Sequence, residues 1–164
     1  MTDRVCNVLF ICTGNSARSI LAEALMNHAG RGRFKAYSAG SQPRGVVDPR
    51  ALQTLRDMGV PAADARSKSW DEFATADAPQ MDFVFTVCDN AAGEVCPHWP
   101  GQPMTAHWGL PDPAAVEGSE AVVQLAFRDA AVTMKRRIDL MLALSASALD
   151  SMALRGEPRD IGGR

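Results

Sequence analysis

The sequence lacks any apolar stretch approaching the roughly 20 residues that a membrane-spanning helix needs. It also lacks an excess of either charge, since the net charge of −2 gives no reason to expect nucleic acid or an anionic membrane as a partner. Neither an internal repeat nor a linker divides the chain. The remaining composition, 46% hydrophobic and 22% charged over 164 residues, is typical of a single globular domain.

Cysteine is scarce, and four residues are too few for a disulfide scaffold in a chain of this size. In a reducing compartment the four cysteines are therefore expected to be free or catalytic thiols. Because the N-terminal residues run straight into the first apolar run, we expect no removable signal and a cytoplasmic protein. Cys6 lies early in that run and is predicted to be a small core side chain without a role.

Apolar runs alternate with amphipathic helical patterns along the chain. This alternation predicts an α/β fold in one domain, residues 1–149, with a parallel sheet covered on both faces and a loosely ordered tail at 150–164. Strands are predicted at Val5–Ile11, Arg33–Ser38, Asp82–Val87 and Met104–His107. Helices are predicted from a Ser16 cap to Gly30, from Asp48-Pro49 to Gly59, over Ser69–Phe73, and from about Ser119 to Leu149.

The segment from Val8 to Ser19, VLFICTGNSARS, carries the strongest functional signal. It predicts a strand that ends at Cys12, a tight loop, and a helix whose N-terminus faces that loop. Backbone N–H groups and the helix dipole can then hold an oxyanion and lower the pKa of Cys12. The planar fork of Arg18 can clamp two oxygens of the same anion. The predicted oxyanion-binding loop comprises Thr13, Gly14, Asn15, Ser16, Ala17 and Arg18.

Several motifs in order resemble the low-molecular-weight protein tyrosine phosphatase superfamily, and more narrowly the arsenate reductases built on that fold. They are CTGNSARS, YSAGS at 37–41, VFTVCDNAAGEVCP at 84–97 and AHWGLPDPA at 106–114. The resemblance covers residues 5 to about 145. It implies a four-stranded parallel sheet with helices on both faces, wound as in flavodoxin, and reduction of arsenate to arsenite for detoxification.

The resemblance also implies roles for individual residues. Asp112, held between two prolines, matches the general acid that protonates the departing oxygen. Ser19 matches a hydroxyl that donates to the nucleophile's sulfur and keeps it ionised. Asn15 is expected to hold the shape of the loop.

Reduction of arsenic from the +5 to the +3 state consumes two electrons, which two thiols supply by forming a disulfide. We expect Cys12 to attack arsenate, Cys88 to attack Cys12, and Cys96 to attack Cys88, leaving an exposed Cys88–Cys96 disulfide. If residues 88 to 96 formed a continuous helix, the Cα atoms of Cys88 and Cys96 would lie roughly 12 Å apart, whereas a disulfide tolerates a Cα–Cα distance of about 7 Å. The segment is therefore predicted to be a mobile loop or to unwind.

The expected electron donor is thioredoxin, with glutaredoxin and glutathione as the alternative. Relatives that bind potassium use residues matching Asn15, Glu23 and Ser38 with an aspartate, but Lys68 stands at the aspartate's position. Its ammonium can replace the cation and pair with Glu23, so we expect no potassium.

Zinc is not expected either, because Cys88, Cys96, His98 and His107 lack the spacing of common zinc knuckles. No other metal and no cofactor is expected. Two alternative functions stay open: a low-molecular-weight phosphatase that hydrolyses aryl phosphates through a phosphocysteine at Cys12, and a non-catalytic anion sensor. The phosphatase is less favoured because Ala114 and Ala115 stand where phosphatases commonly carry an aromatic residue.

Overall fold

Four parallel strands form one sheet in the computed structural model of the protein, which describes residues 5–62, 64–87 and 104–144. The sheet order is β2-β1-β3-β4. All four predicted strands are present, with ends that differ from the prediction by no more than one residue. Their bounds are β1 (Cys6–Ile11), β2 (Phe34–Ala39), β3 (Phe83–Thr86) and β4 (Met104–His107).

The central strand β1 is buried on both sides. Val8, Leu9, Phe10 and Ile11 are fully buried although alternate residues point to opposite faces of a sheet. Both faces are therefore covered, as the sequence predicted. β1 pairs with β2 on one side and with β3 on the other, with Ile11 opposite Ala39 and Thr86.

The strand order creates a switch point between β1 and β3. The chain leaves β1 in one direction to form β2 and then crosses β1 to form β3 and β4 on the other side. Open parallel sheets bind ligands at such a point, in the crevice at the carboxyl ends of the strands. Cys12 follows the last residue of β1 and stands at this point.

Three helices pack on the sheet within the described residues: α1 (Arg18–Ala29), α2 (Pro49–Asp57) and α3 (Glu120–Leu142). Asp48 caps α2 by accepting from the N–H of Arg50, and Ser119 caps α3 by accepting from the N–H of Val122. The Asp48 cap agrees with the sequence prediction, and α3 begins directly after Ser119, where its start was predicted. Trp70–Phe73 and Pro113–Ala115 form one-turn 3₁₀ helices.

The long helix α3 buries one stripe and ends earlier than predicted. The stripe comprises Val123, Phe127, Ala130, Met134, Ile138 and Met141, as expected for core packing. The predicted end at Leu149 is wrong, because α3 ends at Leu142. There the Arg33 guanidinium donates to the carbonyls of Leu142 and Leu144, which satisfies the terminal acceptors.

An aromatic cluster fixes the carboxyl edge of the sheet. The indole of Trp108, one residue beyond β4, is fully buried and stacks on Phe85 at 4.2 Å between centroids and 8° between planes. Phe10 of β1 packs against both rings. The chain therefore leaves β4 with a side chain anchored in the core. Among the residues that the structure describes, no helix has the length and apolarity to cross a membrane.

Candidate active site

The segment between β1 and α1 forms a loop whose carbonyls point outward. Those of Thr13, Gly14 and Ser16 accept hydrogen bonds from the N–H groups of Gln42, Arg44 and Asp48 respectively, at 2.8–3.0 Å. In a trans peptide the N–H points opposite to the carbonyl, so the N–H groups of Gly14, Asn15 and Ala17 turn to the inner side. The loop thus forms a ring of donors suited to an oxyanion.

Cys12 lies at the base of this loop. Its own N–H donates to the carbonyl of Ala39 at the end of β2, and the residue is 5% exposed. Held by the sheet on one side and by the loop on the other, the sulfur is in a fixed position relative to the inward N–H groups.

Gly40 holds the loop at close range, which sequence reasoning missed. A Cβ at this position would lie 2.4 Å from the carbonyl oxygen of Thr13 and 2.7 Å from that of Cys12. Both contacts are with backbone, so no side-chain movement relieves them. The available signal was a glycine directly after a predicted strand, within the YSAGS motif, since glycine there indicates close approach of another backbone.

Asn15 is fully buried and has φ of 44°, a left-handed conformation that asparagine tolerates better than most residues. Its amide donates to Ser19 Oγ at 2.8 Å, and its Oδ1 accepts from the N–H of Lys68 at 2.9 Å. The side chain therefore ties the loop to α1 and to the segment before Trp70, as predicted. Because Ser19 is the acceptor here, its hydroxyl proton is available for donation elsewhere.

The first helix begins without a side-chain cap, so the predicted Ser16 cap is wrong. α1 starts at Arg18 with Ala17 at its N-cap position, and no side chain caps it. The carbonyl of Ser16 instead accepts from the N–H of Asp48. Without a capping side chain, the N–H groups of the first turn stay available to an anion.

Arg18 and Asp112 meet across the loop. Arg18 Nη1 donates to the carbonyl of Leu110 at 2.9 Å, and Nη2 lies 3.7 Å from Asp112 Oδ2. The other carboxylate oxygen of Asp112 accepts from the N–H of Ala114 at 2.9 Å, which caps the short helix after it. The structure thus brings together the nucleophile's loop, the predicted clamp and the predicted acid, although they lie up to 100 residues apart in sequence.

An open cavity of about 450 Å³ adjoins the loop at Ser16. Two arginines, Arg44 and Arg50, and two carboxylates, Asp48 and Glu120, contribute to its walls, and Arg50 pairs with Asp48 at 3.0 Å. Its lining is Ser16, Arg44, Val46, Val47, Asp48, Pro49, Arg50 and Glu120.

Lys68 occupies a buried position beside the loop, next to Glu23 and Ser38. Its Nζ lies 4.0 Å from Glu23 Oε1 and donates to Ser38 Oγ at 3.4 Å, while Ser38 Oγ donates to Glu23 at 2.8 Å. Burial raises the pKa of Glu23 and lowers that of Lys68, and each residue's charge opposes the shift of the other. This is the lysine–glutamate pairing that the sequence predicted for the position of a cation.

Cys88 and Cys96 lie outside the described residues, as do His98 and the tail at 150–164. The described segment before Cys88 ends at Val87. The N–H of Val87 donates to the carbonyl of Ile11, the residue before Cys12. His107 Nδ1 forms a 2.7 Å hydrogen bond with Thr86 Oγ1. Within the described ranges, no group of three or more histidine, cysteine or acidic residues is placed to hold a metal ion.

The model of the low molecular weight phosphotyrosine protein phosphatase family matches residues 7–150. The chain belongs to this family. The match covers both the Cys12 loop and Asp112, so the site described above lies in the part of the chain that defines the family.

Relatives within this family are named arsenate reductases. That of Halalkalibacterium halodurans is 34% identical over 131 residues, which cover 80% of this chain and 91% of that protein. The solved arsenate reductase of Archaeoglobus fulgidus gives a TM-score of 0.61 at 30% identity, over 80% of this chain and 98% of that one. The thioredoxin-dependent arsenate reductase of Corynebacterium glutamicum gives 0.59 at 28% identity, over 86% of this chain and 65% of that one.

Proposed function

We propose that this protein reduces arsenate to arsenite, with Cys12 as the nucleophile and an external thiol system as the reductant. The observation that carries the proposal is the Cys12 loop, whose outward carbonyls turn its N–H groups inward beneath the Arg18–Asp112 pair. The arsenate reductases among the relatives give the substrate.

In the first step the Cys12 thiolate attacks arsenate held by the inward N–H groups and by Arg18. A sulfur–arsenic bond forms and an arsenic–oxygen bond breaks. Protonated Asp112 gives its proton to the departing oxygen, which leaves as water. Ser19 is proposed to donate its hydroxyl proton to Sγ and so to stabilise the thiolate before attack.

In the second step Cys88 attacks Cys12 Sγ. A sulfur–sulfur bond forms, the sulfur–arsenic bond breaks, and its electron pair stays on arsenic, which leaves as arsenite. Cys96 then attacks Cys88 and releases the Cys12 thiolate, so that the disulfide joins Cys88 and Cys96. In sum, arsenate and two thiols give arsenite, a disulfide and water. Support for Cys88 comes from chain order, since it follows Val87 at the carboxyl edge of the sheet beside β1.

The proposed reductant of the Cys88–Cys96 disulfide is thioredoxin, in line with the thioredoxin-dependent relative of Corynebacterium glutamicum. Glutaredoxin with glutathione is the alternative donor. Either system requires a reducing compartment, so the proposed location is the cytoplasm.

A low-molecular-weight phosphatase is the second candidate, because the loop, Arg18 and Asp112 are sufficient for aryl phosphate hydrolysis without any further cysteine. Against it, Ala114 and Ala115 follow the Asp112-Pro113 pair, where phosphatases commonly carry an aromatic residue. In that mechanism Cys12 forms a phosphocysteine that water hydrolyses, and Cys88 has no part.

One set of assays separates the two functions. Arsenate reduction with thioredoxin, its reductase and NADPH, and hydrolysis of an aryl phosphate, are measured on the wild type, Cys88→Ser and Cys12→Ser. We expect Cys88→Ser to abolish arsenate turnover and to keep any phosphatase activity, and Cys12→Ser to abolish both. Mass-spectrometric mapping of arsenate-oxidised protein should show a Cys88–Cys96 linkage. Its absence, or arsenate turnover by Cys88→Ser, would contradict the relay.

A further inference from the structure

Arg137 of α3 donates to two consecutive carbonyls of the segment that leaves β4. Its Nη1 lies 3.1 Å from the carbonyl oxygen of Trp108 and 3.0 Å from that of Gly109. These contacts link the C-terminal third of α3 to residues that stand three and four positions before Asp112. Neither the proposed mechanism nor the family motifs use this arginine.

The Arg137 side chain is partly buried. Its Nε is buried and has no hydrogen-bond partner among the described residues. Burial lowers its pKa, and the neighbouring Arg136 lowers it further. Leaving the donors of a desolvated guanidinium unpaired is costly, so Nη1 keeps its hydrogen bonds to the Trp108 and Gly109 carbonyls and holds both in place.

Arg18 binds the next carbonyl along the same segment. Its Nη1 donates to Leu110, while the Trp108 indole is stacked in the core. Two arginines from different helices thus hold three consecutive carbonyls, 108 to 110. After them come Pro111, which restricts the residue before it, and then Asp112. The direction in which the chain reaches Asp112 is therefore set by Arg137 at one end and Arg18 at the other.

We propose that Arg137 is a positioning residue for Asp112: it fixes the Trp108–Gly109 carbonyls so that the carboxyl group stands over the Cys12 loop. This inference rests on the proposed function, in which Asp112 is the general acid. Arg137 does not contact the substrate in this scheme, and its whole effect on catalysis passes through Asp112.

The test is a double-mutant cycle with Arg137→Met and Asp112→Asn, measured as kcat and KM for arsenate. Methionine keeps an unbranched apolar stem and removes every donor. Because a general acid contributes about 10²- to 10⁴-fold and small displacements are costly, we expect Arg137→Met to lower kcat at least tenfold with little change in KM. In the Asp112→Asn background the same substitution should change kcat by less than about twofold. Equal losses in both backgrounds would overturn the inference, as would an effect on KM alone.

Arg136→Met is the matched control, since it removes the same charge from an exposed neighbour on α3 and should leave kcat unchanged. If Arg137→Met does not fold, the cycle is run with Arg137→Lys, which keeps the charge without the planar fork. If the wild type hydrolyses phenyl phosphate but does not reduce arsenate, the proposed reduction is wrong and the cycle is run on phenyl phosphate, where the same acid acts. A wild type without either activity would overturn both proposals.

Discussion

Gly40 shows how one missing side chain positions a catalytic loop. Its φ is not in the left-handed region, so the need for glycine comes from close approach and not from backbone conformation. The carbonyls of Cys12 and Thr13 lie where a Cβ would stand. Any residue other than glycine must push the loop away from β2.

We expect Gly40→Ala to reduce activity by about a hundredfold, because a displacement on the order of 1 Å of reacting groups has that effect. Stability should fall by about 1–3 kcal/mol from overpacking. Gly32→Ala is the control: its φ of 86° makes alanine strained, but nothing lies within 4 Å of the added Cβ. It should lose stability and keep kcat. Urea unfolding and steady-state kinetics on both variants decide the matter, and a fully active Gly40→Ala would contradict the prediction.

Lys68 and Glu23 form a buried pair, and removal of one partner leaves the other charge uncompensated. We expect Lys68→Met to lower the free energy of unfolding by about 3 kcal/mol, the scale for breaking such a pair. Because Lys68→Met combined with Glu23→Gln removes both charges, the double variant should recover part of that loss. Chemical denaturation of the two variants at pH 7 measures the difference.

The same pair predicts how the protein responds to potassium. Since the lysine ammonium already stands beside Glu23 and Ser38, potassium should not bind there. The melting temperature and the arsenate reductase activity should be equal in potassium and sodium chloride at one ionic strength. A marked rise of either in potassium would contradict the assignment of Lys68 as the replacement for a cation.

At the scale of elements, the start of α2 is coupled to the active-site loop through Asp48. Its N–H donates to the carbonyl of Ser16, and its carboxylate accepts from the backbone and the guanidinium of Arg50. Burial opposes ionisation of Asp48, but the hydrogen bonds from Arg50 outweigh it and lower the pKa of the carboxyl below its ordinary value. The helix cap therefore depends on a charged group.

We expect Asp48→Ala to lower the free energy of unfolding by about 1–2 kcal/mol at pH 7. A lowered pKa contributes stability above the unfolded-state value of about 3.9, and that contribution is lost as pH falls through the folded-state pKa. The gap between wild type and Asp48→Ala should therefore be constant at neutral pH and shrink below about pH 4. Asp48→Asn keeps a capping oxygen and isolates the charge. A gap that does not change with pH would contradict this reasoning.

At the scale of the whole molecule, the site is completed by segments from all parts of the described chain. The loop after β1, Gly40 after β2 and Asp112 after β4 meet at the carboxyl edge of the sheet. An oxyanion bound at this edge contacts groups that belong together only in the folded state. Its binding must therefore stabilise the entire fold.

We expect phosphate, a redox-inert probe, to raise the free energy of unfolding by about 2.7 kcal/mol at 100 times its Kd. Arg18→Met should lose most of this gain, because the clamp on the anion is gone. Arg31→Met is the control, since this exposed arginine lies beyond the opposite end of α1. Thermal melts over a phosphate series provide the measurement. An equal gain in Arg18→Met and the wild type would place phosphate elsewhere.

Much of this architecture was predictable from local patterns. The strands, the Asp48 cap, and the start and buried stripe of α3 follow from periodicity and capping, because these signals lie within a few residues of the structure that they specify. The predicted Ser16 cap was wrong because α1 begins one residue later, with Ala17 at its N-cap, and the Ser16 carbonyl accepts from Asp48, which is distant in sequence. The predicted end of α3 was wrong because Arg33, distant in sequence, donates to the carbonyls of Leu142 and Leu144, where the helix stops.

The sequence by itself determined the elements, the cysteine at the end of β1 and the spacing from Cys12 to Arg18. Tertiary structure alone decided which distant groups complete the site: the close approach of Gly40, the carbonyl of Leu110 for Arg18, and Arg137 beneath the Asp112 segment. The reason is physical. Local order is specified by neighbouring residues, whereas contacts between backbone groups of distant segments depend on how the strands and helices pack. Such contacts cannot be predicted from the residue types alone.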